Sequence, residues 1–240
     1  MRVHCTGVAI SDDLVLTAGH CLQDPRTGKK LNRSALYVYY FSHNISDPDE
    51  NDVRVSIKRF FIHPRNIKNM YTYDLAIIQV RTPIKRVPTI CLPCVPKNRI
   101  TFGSNAHKNF SSGTQAGGTF EPRPGQSCFV AGWGITDSND VSSVLLEGYA
   151  SRMSNKKCLR YWRDDLDSSM YCAAMDAAIP CQGDSGVPLM CRFNNRLYVS
   201  GVVSWGSWFC EQKPTILCNV AKLYKWISQV LRRIGNKTLP

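Results

Sequence analysis

At 240 residues, with 43% hydrophobic and 20% charged residues, the chain has the composition of one large or two small folded domains, not of a disordered protein. No apolar run approaches the roughly 18 residues of a membrane-spanning helix. The net charge of +12 is scattered through pairs such as Lys29-Lys30, Lys156-Lys157 and Arg232-Arg233. Without a zinc-finger spacing or an aromatic-basic motif, this argues against nucleic-acid binding and leaves acidic glycans as the partner a basic surface would attract.

Eleven cysteines and four sequons (Asn32-Arg-Ser34, Asn44-Ile-Ser46, Asn109-Phe-Ser111 and Asn236-Lys-Thr238) point to an oxidising, secretory compartment. The opening Met1-Arg-Val-His-Cys5 has no long apolar region and is not a signal peptide. The expectation is a secreted protein whose natural amino-terminal part precedes the chain given.

Strand-like runs at 6–10, 14–16, 35–41, 53–61, 75–80, 128–132, 144–150, 186–193 and 197–204 are β-branched or aromatic and are punctuated by Gly, Pro, Asn and Asp. They predict an all-β fold of barrels or sandwiches. One segment reads clearly as a helix: Leu223, Trp226, Ile227, Val230, Leu231 and Ile234 recur at three-and-four spacing after Lys222. Residues 96–126, rich in Asn, Ser, Gly, Lys and Pro, read as a linker with a long surface loop. The resulting division is 1–96, 97–126, 127–221 and 222–240.

Three motifs carry chemistry. Leu14-Val-Leu-Thr-Ala-Gly-His20-Cys21 is an apolar strand running into small residues and then a histidine, with Cys5 placed to staple the loop. Its imidazole, with a pKa near working pH, is a candidate general base. Tyr73-Asp74-Leu-Ala-Ile-Ile places an acid at the mouth of an apolar strand, where it is either a turn cap or the carboxylate orienting that imidazole. In Cys181-Gln-Gly-Asp-Ser-Gly-Val-Pro188 a serine stands between small residues. The stretch is either an ordinary turn or a loop that presents a nucleophile and bares the N–H groups of Gly183 and Ser185 to an oxyanion.

Taken in the order His20, Asp74, Ser185, these motifs resemble the chymotrypsin-like serine endopeptidases. So do Cys128-Phe-Val-Ala-Gly-Trp-Gly134, Ser204-Trp-Gly206 and Tyr224-Lys-Trp-Ile227, and the resemblance runs from Cys5 to Gly235. It implies two six-stranded β-barrels with an incomplete first-strand region, a C-terminal helix and a triad between the barrels. Ser185 would be the nucleophile, His20 the base and then the acid, and Asp74 the orienting carboxylate, with no metal or cofactor. Protein or peptide substrates and serine-protease inhibitors would be the partners. The implied disulfides are Cys5–Cys21, Cys128–Cys191, Cys158–Cys172 and Cys181–Cys210. Cys91 would tie the domain to a propeptide, while Cys94 and Cys218 have no standard counterpart and could pair with each other.

In such enzymes a pocket beside the serine selects the residue before the cleaved bond. Here Ile179 would form its base, with Pro180, Gln182, Ser204, Trp205, Gly206 and Thr215 around it. None of these neutralises a cation, and an unpaired Arg or Lys buried there would be costly. Small or medium apolar residues are therefore expected, with cleavage after Arg or Lys disfavoured.

Two departures stand out. Val187 replaces a glycine and would crowd the loop if its φ is positive. Asp184 would pair with an ammonium released by proteolytic activation, and no such segment is present, so the chain as given is expected to be zymogen-like. The alternative is a catalytically inactive homologue acting as a secreted binding module.

Overall fold

Leu14–Thr17 and Ala76–Val80 are apolar but for Thr17 and Gln79, and both are buried along their whole length, as expected of strands covered on both faces. The computed structural model of the protein describes residues 4–67, 70–93, 114–115, 119–136, 140–163, 166–176, 180–207, 209–210 and 213–235. Val8–Ala9 (β1), Leu14–Thr17 (β2), Tyr37–Tyr40 (β3), Val53–Ile62 (β4) and Ala76–Val80 (β5) form one antiparallel sheet in the order β1-β2-β5-β4-β3. Thr114–Gln115 (β6) and Thr119–Phe120 (β7) pair with each other.

The second half closes on itself. Ser127–Gly132 (β8), Leu146–Arg152 (β9), Met170–Met175 (β10), Pro188–Phe193 (β11), Arg196–Trp205 (β12) and Thr215–Asn219 (β13) make a closed six-stranded barrel, order β10-β13-β12-β11-β8-β9. Two helices complete the described fold, Asn155–Trp162 (α1) and Val220–Ile234 (α2). Asn219 caps α2 by accepting the Lys222 N–H, and Gly235 ends it at φ 83°. The helix buries Leu223, Ile227, Val230 and Leu231 in a core shared with Leu14, Leu16 and Ile77 of the first sheet and Val199 and Val202 of the second. One apolar cluster thus fixes the two halves against each other. Glu121, just after β7, is tied to the second barrel, accepting from Arg152 Nη1 at 2.7 Å and from Asn219 Nδ2 at 2.9 Å.

The fold is all-β and chymotrypsin-like, with corrections to the reading from sequence. Among the described residues the first sheet is a curled five-stranded half-barrel with β1 and β3 at its edges, one strand short of the six that the resemblance implies. A second helix exists: α1 is capped by Ser154, which accepts from Lys157 N, and buries only Cys158. A helix with one buried side chain leaves no apolar periodicity to read. Strands β10 and β13, both largely buried, are absent from the runs read from sequence. Within the stretch read as a loop, residues 94–113 lie outside the described region, while Phe120 of β7 is 1% exposed in the second-barrel core.

The bonded cysteine pairs are Cys5–Cys21, Cys128–Cys191, Cys158–Cys172 and Cys181–Cys210. Cys91 is a half-buried thiol and Cys218 a buried one. Cys94 falls outside the described residues. No helix among the described residues is long and apolar enough to cross a membrane.

Candidate active site

Strand β2 delivers its end into a 3-10 turn, His20–Leu22, which the Cys5–Cys21 bridge fastens to the segment before β1. Gly19 is the close-approach point. A Cβ there would lie 3.0 Å from Asp74 Oδ1 and 3.3 Å from Asn66 Nδ2. Asp74 enters from the mouth of β5, after Tyr73 at φ 49°, and is fully buried. The Tyr73 N–H is held across the barrels by Ser169 Oγ at 2.8 Å.

A buried carboxylate must be heavily hydrogen-bonded to persist. Asp74 Oδ1 accepts from His20 N at 2.8 Å and from Asn66 Nδ2 at 3.3 Å. Its Oδ2 lies 2.6 Å from His20 Nδ1 and accepts from Ser204 Oγ at 2.6 Å. Because an ionised carboxylate only accepts, Nδ1 carries the imidazole proton. Nε2 is then the acceptor facing Ser185 Oγ, 2.8 Å away. Burial by itself pushes the His20 pKa down, but the charge of Asp74 and the hydrogen bond to it outweigh that, and the pKa is raised.

The serine sits on a loop whose backbone is mostly engaged. Asp184 N donates to Cys181 O, Gly186 N to Val203 O and Val187 N to Asp184 O, while Ser185 O accepts from Thr6 N at 2.8 Å. Among the described residues the N–H groups of Gly183 and Ser185 have no acceptor. Gly183 and Gly186 take φ of 99° and 87°, conformations that favour glycine. Val187 does not have a positive φ, so the crowding feared from sequence does not arise. Its side chain is 1% exposed and packs into the second-barrel core beside Gly132.

Asp184 points away from the serine into a niche made by Gly132 and Gly134, where any Cβ would overlap its carboxylate. It accepts from Gly134 N at 2.9 Å and Cys181 N at 3.0 Å. Burial raises its pKa against these two donors, and no cation pairs with it among the described residues.

Around the serine, Gly206 is half-buried and Thr215 almost fully buried, with Thr215 Cα 4.0 Å from where a Gly206 Cβ would stand. Trp205 packs edge-on against Trp162 at 5.0 Å. Pro180 is half-buried and Gln182 exposed, whereas Ile179 lies outside the described residues. Ser204, expected from sequence beside the pocket, donates its hydroxyl to Asp74. Sequence reasoning also missed Asn66 and Tyr71, whose ring stands edge-on to His20 at 5.4 Å. Neither lies in a motif that announces it.

Cys5, His20 and Cys21 cluster closely enough to suggest a metal site, yet both sulfurs are consumed in a disulfide and offer no thiolate. Of the sequon asparagines, Asn32 is exposed and Asn44 half-buried, while Asn109 and Asn236 lie outside the described residues.

The family model described as Trypsin matches residues 2–227. Granzyme M of Rattus norvegicus is 31% identical, the alignment covering 95% of this chain and 80% of that protein. Chymotrypsin-like elastase family member 1 of Felis catus is 28% identical over 95% of the chain and 78% of its own length. Kallikrein-7 of Homo sapiens is 28% identical over 97% and 79% respectively.

Proposed function

The chain belongs to the trypsin family of serine endopeptidases, and from that premise we propose that Ser185, His20 and Asp74 cleave peptide bonds through an acyl-enzyme. One observation carries the assignment: the unbroken chain Asp74 Oδ2, His20 Nδ1, His20 Nε2, Ser185 Oγ, with contacts of 2.6 and 2.8 Å. Ser185 Oγ attacks the scissile carbonyl while His20 Nε2 takes its proton, and Asp74 stabilises the imidazolium. The N–H groups of Gly183 and Ser185 receive the oxyanion. His20 then returns the proton to the leaving amine, and the acyl-enzyme remains. Water, deprotonated by the same Nε2, attacks the ester and releases the acid with Ser185 restored.

A fluorophosphonate should label the native protein at a single serine, and Ser185→Ala should lose all of that label. A native protein that takes no label while remaining folded would count against acyl-enzyme formation by this chain, the outcome that the zymogen-like reading and the inactive binding module share.

For specificity, β-branched Thr215 beside Gly206 supports a shallow apolar pocket, and the Tyr71 ring over His20 narrows the neighbouring space. On the reading from sequence that makes Ile179 the base, a peptide library is expected to show cleavage after small or medium apolar residues. Strong preference for Arg or Lys would reject that pocket. The zymogen-like reading is supported by Asp184, a half-buried carboxylate with two N–H donors and no cation beside it among the described residues. A full acyl-enzyme burst from this chain alone would count against it.

The two-domain division is supported by His20 and Asp74 coming from the first sheet and Ser185 from the loop before β11 of the second. Four disulfides support secretion, exposed Asn32 and half-buried Asn44 support glycosylation, and the half-buried thiol of Cys91 supports a covalent propeptide. The net charge of +12 supports attraction to acidic glycans.

A further inference from the structure

We propose that Asn66 is a positioning residue for the triad, its side-chain amide holding the Asp74 carboxylate in the plane from which that carboxylate grips His20. The proposal rests on the triad reading above and adds a fourth residue to it.

Asn66 Nδ2 donates to Asp74 Oδ1 at 3.3 Å and to Thr72 O at 3.2 Å. Both are pure acceptors, so the NH2 end of the amide must face them. Asn66 Oδ1, at the opposite end, is buried with no protein partner among the described residues. The hydrogen bonds that the side chain makes to the protein therefore come from its NH2 end. That end completes the shell of Asp74, in which Oδ1 takes His20 N and Asn66 Nδ2, and Oδ2 takes His20 Nδ1 and Ser204 Oγ. Each oxygen then has two donors, and rotation of the carboxylate away from His20 breaks bonds on both oxygens.

The same amide clamps the reversal between Asn66 and Thr72, where Ile67 and Thr72 form an isolated bridge. Tyr71 leaves this reversal at φ 51° with its ring against His20. Asn66 therefore couples the carboxylate to the ring covering the imidazole. Gly19 is the complementary feature, since a side chain there would press on both Asn66 Nδ2 and Asp74 Oδ1.

Beside Asn66, His63 accepts the Asn66 N–H at its carbonyl, 2.9 Å, and Arg65 lies over the Tyr73 ring at 4.1 Å. Asp74 and Tyr71 face His20 directly. Behind Asp74, the Cys218 thiol of β13 is pushed well up, first by burial and then by the charges of Asp74 and Asp167, and stays neutral. Asp167 is engaged by the hydroxyl and N–H of Ser169.

The test is an NMR titration of the His20 imidazole in the intact chain, native against Asn66→Leu, which keeps the number and branching of the side-chain heavy atoms and removes the donor. Without the amide, the charge of Asp74 leans on Oδ2 and on the proton at Nδ1, which favours the imidazolium. The His20 midpoint should rise by a few tenths of a pH unit. If Asn66 only fills space, leucine does so equally well. A midpoint unchanged to within about 0.1 unit, or lowered, overturns the proposal. A second reading needs no variant: in the native protein the Asn66 amide protons should shift along the His20 titration curve, and a flat response also overturns it. Neither measurement requires turnover. Failure of Ser185 to take a fluorophosphonate would therefore discredit the triad reading separately from the role of Asn66.

Discussion

Replacing Asp74 with asparagine should lower the rate of Ser185 acylation by about 10⁴-fold while leaving the fold and substrate binding nearly intact. The reason is the tautomer. The position of Asp74 Oδ1 receives two N–H donors, from His20 N and Asn66 Nδ2, and so selects the carbonyl end of an asparagine amide. The NH2 end then occupies the Oδ2 position, 2.6 Å from His20 Nδ1. An NH2 donor forces Nδ1 to accept, which moves the ring proton to Nε2. The nitrogen facing Ser185 Oγ at 2.8 Å then already carries a proton and cannot take the one from the hydroxyl. Acylation rates of the two proteins, with circular dichroism to verify folding, give the comparison. A loss of less than about tenfold would mean that Asp74 does not set the tautomer.

The second large effect falls on the backbone that carries the nucleophile. Gly186→Ala should destabilise the protein by about 3 kcal/mol or more and remove activity in whatever fraction folds. Gly186 sits at φ 87°, and its added Cβ would overlap Thr6 O and Thr17 Oγ1. Neither obstacle can step aside cheaply. Thr6 donates its N–H to Ser185 O at 2.8 Å, its carbonyl accepts from Thr17 Oγ1 at 2.7 Å, and Gly186 N is held by Val203 O. Moving the loop to relieve the overlap also moves Ser185 away from His20. Urea denaturation with a parallel fluorophosphonate rate measures both consequences. Native-like stability in this variant would show that the loop has slack the geometry does not display.

Val187 shows how sequence and structure divide the work at this loop. From sequence, a valine in place of a glycine reads as a hazard, because nothing local reports its φ. The structure assigns the left-handed conformations to Gly183 and Gly186 and leaves Val187 in ordinary backbone, buried in the second-barrel core. Ser204 illustrates the same limit. Its motif marks the strand, but only the fold shows that its hydroxyl is directed to Asp74.

By itself the sequence determined what local chemistry can encode: β-rich runs with turn residues between them, small residues flanking His20 and Ser185, an acid at the mouth of an apolar strand, and an amphipathic C-terminal helix. Tertiary structure alone decided what depends on chain segments far apart in sequence. The contacts of His20 with Asp74, Ser204 with Asp74 and His20 with Ser185 span 54, 130 and 165 residues. The open five-stranded first sheet belongs to the same class. Periodicity reports which face of an element is buried. Which atoms meet at that face is set by packing through a shared core, here the cluster beneath α2 that joins the two halves around Asp74.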